Sequence, residues 1–310
     1  MDVTKIIDSI TEPLLSAPLT REQRTLLGLQ LLAWVRLSEA DDALEPQYRV
    51  GHVKDGATSE IIDAAKFLDE WNNKAFRGLA SLAMAVGANA VRQVLEECSK
   101  LNEQGHLQAF DPRDVLAEVA PFGSGGISPD LANLMVGLLG LAAHETVYCA
   151  WDTTGQLVGR LLPKADLVFS ETLGAMPTAA LMAIFLKGRI EEEITDPLRD
   201  PKAVEDRRLR QFDVALGLPP IGEKLDASIV DKDRYQRFNI PKASRTVLAI
   251  QHLLAHAKRR VVVAIPNSIL FNSSSDAEFR KNLLLNGQIQ TVIALPPGLL
   301  RGSALPLSLL

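Results

Sequence analysis

The stretch Arg260–Leu295, RVVVAIPNSILFNSSSDAEFRKNLLLNGQIQTVIAL, decides the fold class. It opens on β-branched residues from Arg260 to Ile265, the composition of a strand buried on both faces. The polar segment Asn272-Ser273-Ser274-Ser275 follows, with Ser275 or Asp276 suited to cap a helix. Helical spacing then runs from Asp276 to Leu285, and a second β-rich run from Thr291 to Leu295 closes the unit. Strand, helix and strand in immediate succession predict a largely parallel sheet covered by helices.

The same alternation extends upstream. Thr146–Ala150 is a short β-rich run, followed by a turn and the apolar Leu157–Leu162. Asp166–Phe169 is a second run, followed by a helix from about Met176 to Lys187. Phe212–Leu216 is a third, and Ser244–Lys258 reads as a helix leading into Arg260. In sheets of this kind ligands bind at the carboxyl ends of the strands. Ser128-Pro129-Asp130 marks a strong helix start, with an N-cap, a proline in the first turn and an acid on the positive end of the dipole. Before it lies the glycine run Pro121–Gly126, and before that the pattern is helical throughout. Arg24–Arg36, Ile61–Phe76 and Leu79–Leu101 carry apolar residues at helical spacing, while Glu39–Gly56 reads as a connecting loop. The sequence therefore predicts a helical part over 1–120 and an α/β part over 121–310. Pro306–Leu310 reads as the beginning of a further strand, which predicts a domain shortened at its C-terminal side.

Hydrophobic residues make up 47% of the chain and charged ones 23%, the balance of a globular protein. No apolar run reaches the roughly 20 residues of a membrane span, and the N-terminus lacks the features of a signal peptide. Cys98 and Cys149 stand in no pairing or metal spacing. Together these predict a cytoplasmic protein with no membrane partner. The net charge of −5 argues against a chain that grips a phosphate backbone unaided. The basic clusters Lys258-Arg259-Arg260 and Arg207-Arg208 with Arg210 read first as solvated helix ends.

The segments from Phe122 to Leu310 resemble the catalytic domain of adenine-specific (N-6) DNA methyltransferases, in the form found in the modification subunits of type I restriction systems. Three blocks carry the resemblance: ISPDLANLMVGLL from Ile127, RFNIPKASRTVLAIQHLLAHAKRR from Arg237, and Val261–Leu310 with its Leu-Pro turn and Gly302–Pro306 segment. The resemblance implies a Rossmann-like, class I S-adenosylmethionine-dependent methyltransferase domain preceded by an all-helical N-terminal domain. Ile127, Ser128 and Pro129 stand where the family has an aromatic-Thr-Pro turn enclosing the cofactor. Cys149-Ala150-Trp151-Asp152-Thr153-Thr154-Gly155 stands where the family reads D-P-A-C-G-(T/S)-G. Cys149 takes the place of the acid, only Gly155 remains of the glycines, and Asp152 is the candidate substitute. Glu171 matches the acid that holds the ribose, and Asp196 an acid beside the adenine ring. S-adenosylmethionine is thus the implied cofactor.

The family's catalytic sequence, N-P-P-(F/Y), follows a strand of the form F-D-V-V-L. Here Phe212-Asp213-Val214-Ala215-Leu216 is followed by Gly217 and then Leu218-Pro219-Pro220-Ile221. The target base is flipped into a pocket, where the asparagine accepts hydrogen bonds from its amine and the aromatic stacks on it. Leucine accepts no hydrogen bond. Losing one oriented transition-state hydrogen bond costs about a hundredfold to a thousandfold in rate. Losing the stacking partner removes a further ~1–3 kcal/mol of binding. These residues predict a degenerate motif.

His252 and His256, four apart on a helix, lack the further ligand a metal pair needs and read as part of an ordinary helix face. No nucleophile elbow and no phosphate-binding loop is present. Three readings follow. The first is a catalytically impaired methyltransferase-like subunit of a restriction–modification or related defence system, associated with DNA through a specificity or other subunit and forming homo- or hetero-oligomers. The second is an active adenine methyltransferase. The third is an unrelated α/β interaction module.

Overall fold

The structure is a computed structural model, and it describes residues 2–40, 43–108, 110–113, 115, 126–174, 177–221, 228–240, 243–273 and 275–310. The chain divides into two compact units, Met1–Pro121 with Met176–Lys187, and Phe122–Ala175 with Gly188–Leu310. Apart from Gly126, the glycine run Pro121–Gly126 lies outside the described residues.

The first unit is helical. Arg21–Ser38 is its central helix, opened by a capping box of Thr20 and Gln23. Leu27, Leu31, Leu32 and Trp34 on this helix are fully buried. The expected long helices are broken where the backbone demands it: Ile61–Phe76 becomes Thr58–Trp71 and Asn73–Phe76. Leu79–Leu101 becomes Leu79–Val86 and Ala88–Glu103, separated at Gly87 with φ 81°. The expected loop Glu39–Gly56 instead holds a short 3-10 turn, Pro46–Tyr48, and a helix, Val50–Asp55. Burial of Val50 and Val53 and a hydrogen bond from Trp34 Nε1 to the Tyr48 carbonyl (2.7 Å) hold that segment down. Thr178–Leu186, expected in the second part, clusters with the first unit. This helix is apolar nearly all round, so it needs cover from other helices, and it packs on Arg21–Ser38 and Asn73–Phe76.

The second unit is a seven-stranded sheet in the order β3-β2-β1-β6-β7-β9-β8. The strands are β1 (Thr146–Ala150), β2 (Leu167–Thr172), β3 (Ile190–Ile194), β6 (Phe212–Gly217), β7 (Ala257–Pro266), β8 (Ile293–Ala294) and β9 (Leu307–Leu309). A small hairpin of β4 (Val204–Glu205) and β5 (Arg208–Leu209) stands apart from it. β3, β2, β1, β6 and β7 are parallel; β9 is antiparallel to both β7 and β8. Leu157–Leu162 lies mostly in a helix, Gln156–Leu161, and β8 is shorter than the expected Thr291–Leu295. β3, IEEEI, escapes a hydrophobicity reading because it is the edge strand, and Glu192 alone of its residues is buried. The helix Pro129–Leu138 starts as expected, with Ser128 Oγ accepting from Leu131 N–H at 3.2 Å. Lys258-Arg259-Arg260 is not a helix end but the lower part of β7. Since the chain runs β1, β2, β3 outward and returns beside β1 as β6, the topological switch point lies between Ala150 and Gly217.

Candidate functional site

At the switch point the two strand ends are tied together. Leu218 N–H donates to the Ala150 carbonyl at 3.1 Å, and Trp151 N–H donates to the Glu171 carbonyl at 3.0 Å. Gly217 is tightly enclosed: a Cβ there would lie 3.1 Å from the Ala150 oxygen and 3.2 Å from the Trp151 ring, so its neighbours would have to shift. Leu218 and Pro219 are buried, and Pro220 and Ile221 are half-buried beside them. The β6 end thus presents two prolines flanked by aliphatic side chains, with no side-chain acceptor.

The turn after β1 is built inward. Cys149 sits in mid-strand, opposite Ser170 and Leu216, fully buried, and burial pushes its thiol well above its ordinary pKa. Trp151 takes φ 61°, a left-handed conformation costing an L-residue roughly 1–2 kcal/mol. Its indole is 4% exposed, packs edge-on to His252 at 5.7 Å, and leaves Nε1 without a hydrogen-bond partner. Asp152 turns back to cap the following helix. Its Oδ1 accepts from Gln156 N–H (3.1 Å), and its Oδ2 from Leu157 (2.8 Å) and Val158 (2.9 Å). Burial raises the Asp152 pKa, and the three amide donors oppose that rise. Gly155, at φ 71°, supplies the left-handed residue that starts the helix.

Glu171 is fully buried at the end of β2, and each of its oxygens already holds a protein donor. Tyr148 Oη donates to Oε2 and Lys202 N–H to Oε1, both at 2.6 Å. Burial lifts its pKa to about 6, against the pull of those two donors and of Arg237. Behind it lies a chain of buried groups. Arg237 Nη1 donates to His252 Nδ1 at 2.8 Å, which leaves the imidazole proton on Nε2. Nε2–H then donates to Tyr148 Oη at 2.6 Å, and Tyr148 passes its own proton toward Glu171. Arg237 is anchored by Asp233 (2.9 Å) and by the carbonyls of Pro197 and Leu198 (2.8 Å each). His256 stacks on the Tyr148 ring at 4.4 Å and bonds the Arg210 carbonyl through Nδ1. Burial holds His252 well below the ordinary histidine range and pushes His256 down to about 4. The two histidines lie on the buried face of their helix, packed around Tyr148.

Asp196 is committed as well. Its Oδ2 pairs with Arg245 (3.2 Å) and Arg199 (3.3 Å), and its Oδ1 accepts from Leu198 N–H (3.1 Å). Ile127 is buried and bridges Leu300, while Ser128 N–H donates to the Leu299 carbonyl at 2.9 Å. Pro129 is the first residue of the helix. Gly126 lies beside Thr154, so the 126–129 turn and the loop after β1 share one corner of the sheet edge. No group of acids, histidines and cysteines able to hold a metal occurs among the described residues.

Residues 177–310 match the family model described as N-6 DNA Methylase. That match takes in β3, β6, β7, β8 and β9 of the sheet and the Leu218–Ile221 turn. A comparison with curated protein sequences gives no match. Among solved structures, the chain is similar to the methyltransferase subunit of the type I restriction-modification system from Streptococcus thermophilus. The identity is 16% and the TM-score 0.74, over 100% of this chain and 84% of that one. A structure from work on complex assembly and conformational transition of the type I system follows, at 18% identity and TM-score 0.70, covering 99% of this chain and 73% of that chain. A Listeria monocytogenes protein, provisionally described as a class I S-adenosylmethionine-dependent methyltransferase, gives 14% identity and TM-score 0.56, over 99% of this chain and 85% of that chain. At these identities the likeness is one of fold. The architecture is a Rossmann-like methyltransferase fold with a helical N-terminal region.

The network of Tyr148, Arg237, Asp233 and His252 has no counterpart in the sequence-based site. One signal for it was present: the helix Arg245–His256 carries its two histidines among apolar residues on every side, which marks a buried helix.

Proposed function

We propose that the chain is a modification-subunit-like component of a restriction–modification or related defence assembly, in which adenine methyl transfer is impaired and the fold serves as a platform. DNA would be engaged together with a specificity or other subunit. The family match and the likeness to type I modification subunits support the class. The observation that carries the impairment is the end of β6: at the switch point, Leu218 stands where the chemistry needs an acceptor for the target amine, and Ile221 where it needs an aromatic.

The cofactor side agrees with this reading. S-adenosylmethionine in this family asks for a glycine-rich turn and acids aimed at its hydroxyls. Here a tryptophan occupies the turn, Asp152 is turned onto its own helix, and Glu171 and Asp196 hold protein donors. These residues do not fit the group as they stand, because Glu171 is fully buried and Asp152 nearly so, out of reach of a ligand's hydroxyls. The intact Leu218–Ala150 tie and the paired prolines favour the second reading, an active enzyme, only as far as the backbone of the turn is concerned.

Calorimetry with S-adenosylmethionine and S-adenosylhomocysteine, beside transfer of labelled methyl groups to DNA, tests the proposal. The expected result is no heat at high micromolar ligand and no label in DNA. Methyl transfer by the unaltered chain would sink the impaired reading. Activity appearing only in Leu218→Asn with Ile221→Phe would locate the defect at the end of β6.

A further inference from the structure

A cavity lies away from the switch point, between the helices Arg245–His256 and Ser275–Leu285 and the segment 235–239. Its volume is about 270 Å³. Sites for drug-sized ligands run to roughly 300–1,000 Å³, so this one has room for a single ring system and not for a whole cofactor. No residue of β8 or β9 lines it. Gln251 comes from the first helix, while Phe279, Asn282 and Asn286 form one stripe of the second at helical spacing. Tyr235 and Asn239 close the third side.

Side-chain amides dominate the polar lining. Its one charged group is Arg237, whose guanidinium is already spent on Asp233, His252 and the carbonyls of Pro197 and Leu198. An anion therefore finds no free cation here, and a cation finds no carboxylate. Gln251 is 6% exposed, and its Nε2 donates to Asn239 Oδ1, but its Oε1 is buried with no hydrogen-bond partner. A buried acceptor left unmade is costly, and at the wall of a cavity an incoming donor can satisfy it. Tyr235 is half-buried and Phe279 buried, and both add ring surface on which a planar group packs. A carboxamide offers a donor and an acceptor side by side, which complements the exocyclic amine and ring nitrogen N7 of adenine. Guanine is matched by a free arginine or lysine and cytosine by a carboxylate, and the lining offers neither.

We propose that this cavity is a binding site for an adenine base, presented by a free nucleoside or by an unpaired adenine of a single strand. Gln251 Oε1 accepts from the exocyclic amine and the Asn282 carboxamide donates to N7, with the ring against Tyr235 and Phe279. The site lies outside the switch point, so the inference does not depend on whether methyl transfer is impaired.

Calorimetry of the full chain with adenosine tests it, beside guanosine, cytidine and two edge-altered analogues. The expected result is saturable binding of adenosine, at least about fivefold tighter than that of guanosine or cytidine. 7-Deazaadenosine lacks the N7 acceptor and 6-dimethylaminopurine riboside lacks the amine protons; each is expected to bind at least about fivefold more weakly than adenosine. Gln251→Leu keeps the bulk and removes the acceptor, and is expected to weaken adenosine by a similar factor. If that variant fails to fold, Asn282→Leu, at a half-buried position, serves in its place with the same loss expected. S-adenosylhomocysteine is expected not to displace adenosine, which keeps the result apart from any cofactor binding at the switch point. A deoxyadenosine tetranucleotide that binds more tightly than adenosine would assign the site to a single strand, and one that binds no better would assign it to the free nucleoside. The proposal is overturned if adenosine does not bind at millimolar concentration, or if guanosine or 7-deazaadenosine binds equally well. It is overturned too if both variants bind as the parent chain does, or if S-adenosylhomocysteine displaces the nucleoside.

Discussion

At the carboxyl ends of β1 and β2, the acids that the sheet brings forward have been turned back into the protein. Asp152 caps its own helix and Glu171 is held by Tyr148 and Lys202; Asp196, beyond β3, is held by Arg245 and Arg199. At the lower end of β7 the polar groups are paired but partly exposed: Lys258 meets Asp213, Arg259 meets Glu145, and Arg260 donates to the carbonyls of Leu138 and Leu139. The contrast separates a polar network closed by burial from one screened by water. At the first, Glu171 is fully buried, so a ligand reaches its carboxylate only if that edge opens. At the second, solvent screening makes each ion pair worth little to the fold.

The sharpest way to break this comparison is to remove the arginine that holds the closed end together. Arg237→Met strands the buried Asp233 carboxylate, His252 Nδ1 and the carbonyls of Pro197 and Leu198. Urea denaturation is expected to show a loss of about 3–5 kcal/mol. A loss below about 1 kcal/mol would mean that the network is not what closes that edge.

Acid should open the same end. His256 is pushed down to about 4 in the folded protein by burial. Between that value and its ordinary 6.5 the unfolded chain binds the extra proton, so stability is complete above 6.5 and is lost as pH falls toward 4. The shift corresponds to about 3 kcal/mol, and His252 acts in the same direction. Glu171 works against it: its pKa is raised to about 6, so its ionisation weakens the fold as pH rises from 4.5 to 6, by about 2 kcal/mol. Thermal unfolding of His256→Gln from pH 7 to 4.5 is expected to show a flatter acid limb than the parent chain. An unchanged limb would remove His256 from the account.

Asp152→Ala is expected to cost about 1–2 kcal/mol through loss of the cap, and Asp152→Asn, which keeps one acceptor oxygen, about half of that. Chemical denaturation of the two variants side by side checks the order. The smallest effect belongs to the lower part of β7. Arg259→Ala removes a partly exposed ion pair with Glu145 and is expected to change stability by no more than about 1 kcal/mol. A larger loss would show that the lower part of β7 is already part of a finished core.

Much of the fold is legible in the residues. The runs at Thr146, Asp166, Phe212 and Arg260 are strands because their apolar, β-branched composition suits burial on both faces. The Ser128 cap falls where the side-chain chemistry puts it, and the helix read from Ser244 starts at Arg245. β3 is not legible, since an edge strand of glutamates and isoleucines looks like any charged segment. Neither is the helix Val50–Asp55, which exists because its valines find a core and not because its local sequence favours it. For the candidate site, Leu218, Pro219, Pro220 and Ile221 were readable as a turn at a strand end, and Cys149 as part of the strand β1.

The sequence alone determined which chemical groups stand at each strand end, because identity and spacing along β1, β2 and β6 are linear properties of the chain. It therefore determined that Leu218 and two prolines follow β6, and that Trp151 and Thr153 stand in the turn after β1. Only the tertiary structure decided where the acids spend their oxygens, because the partners of Glu171 and Asp196 lie at distant positions in the chain: Tyr148, Lys202 and Arg245. It also decided that β9 pairs with Ala264–Pro266 on one side and with Ile293 and Ala294 on the other, since pairing depends on register between strands, and no single strand carries that information.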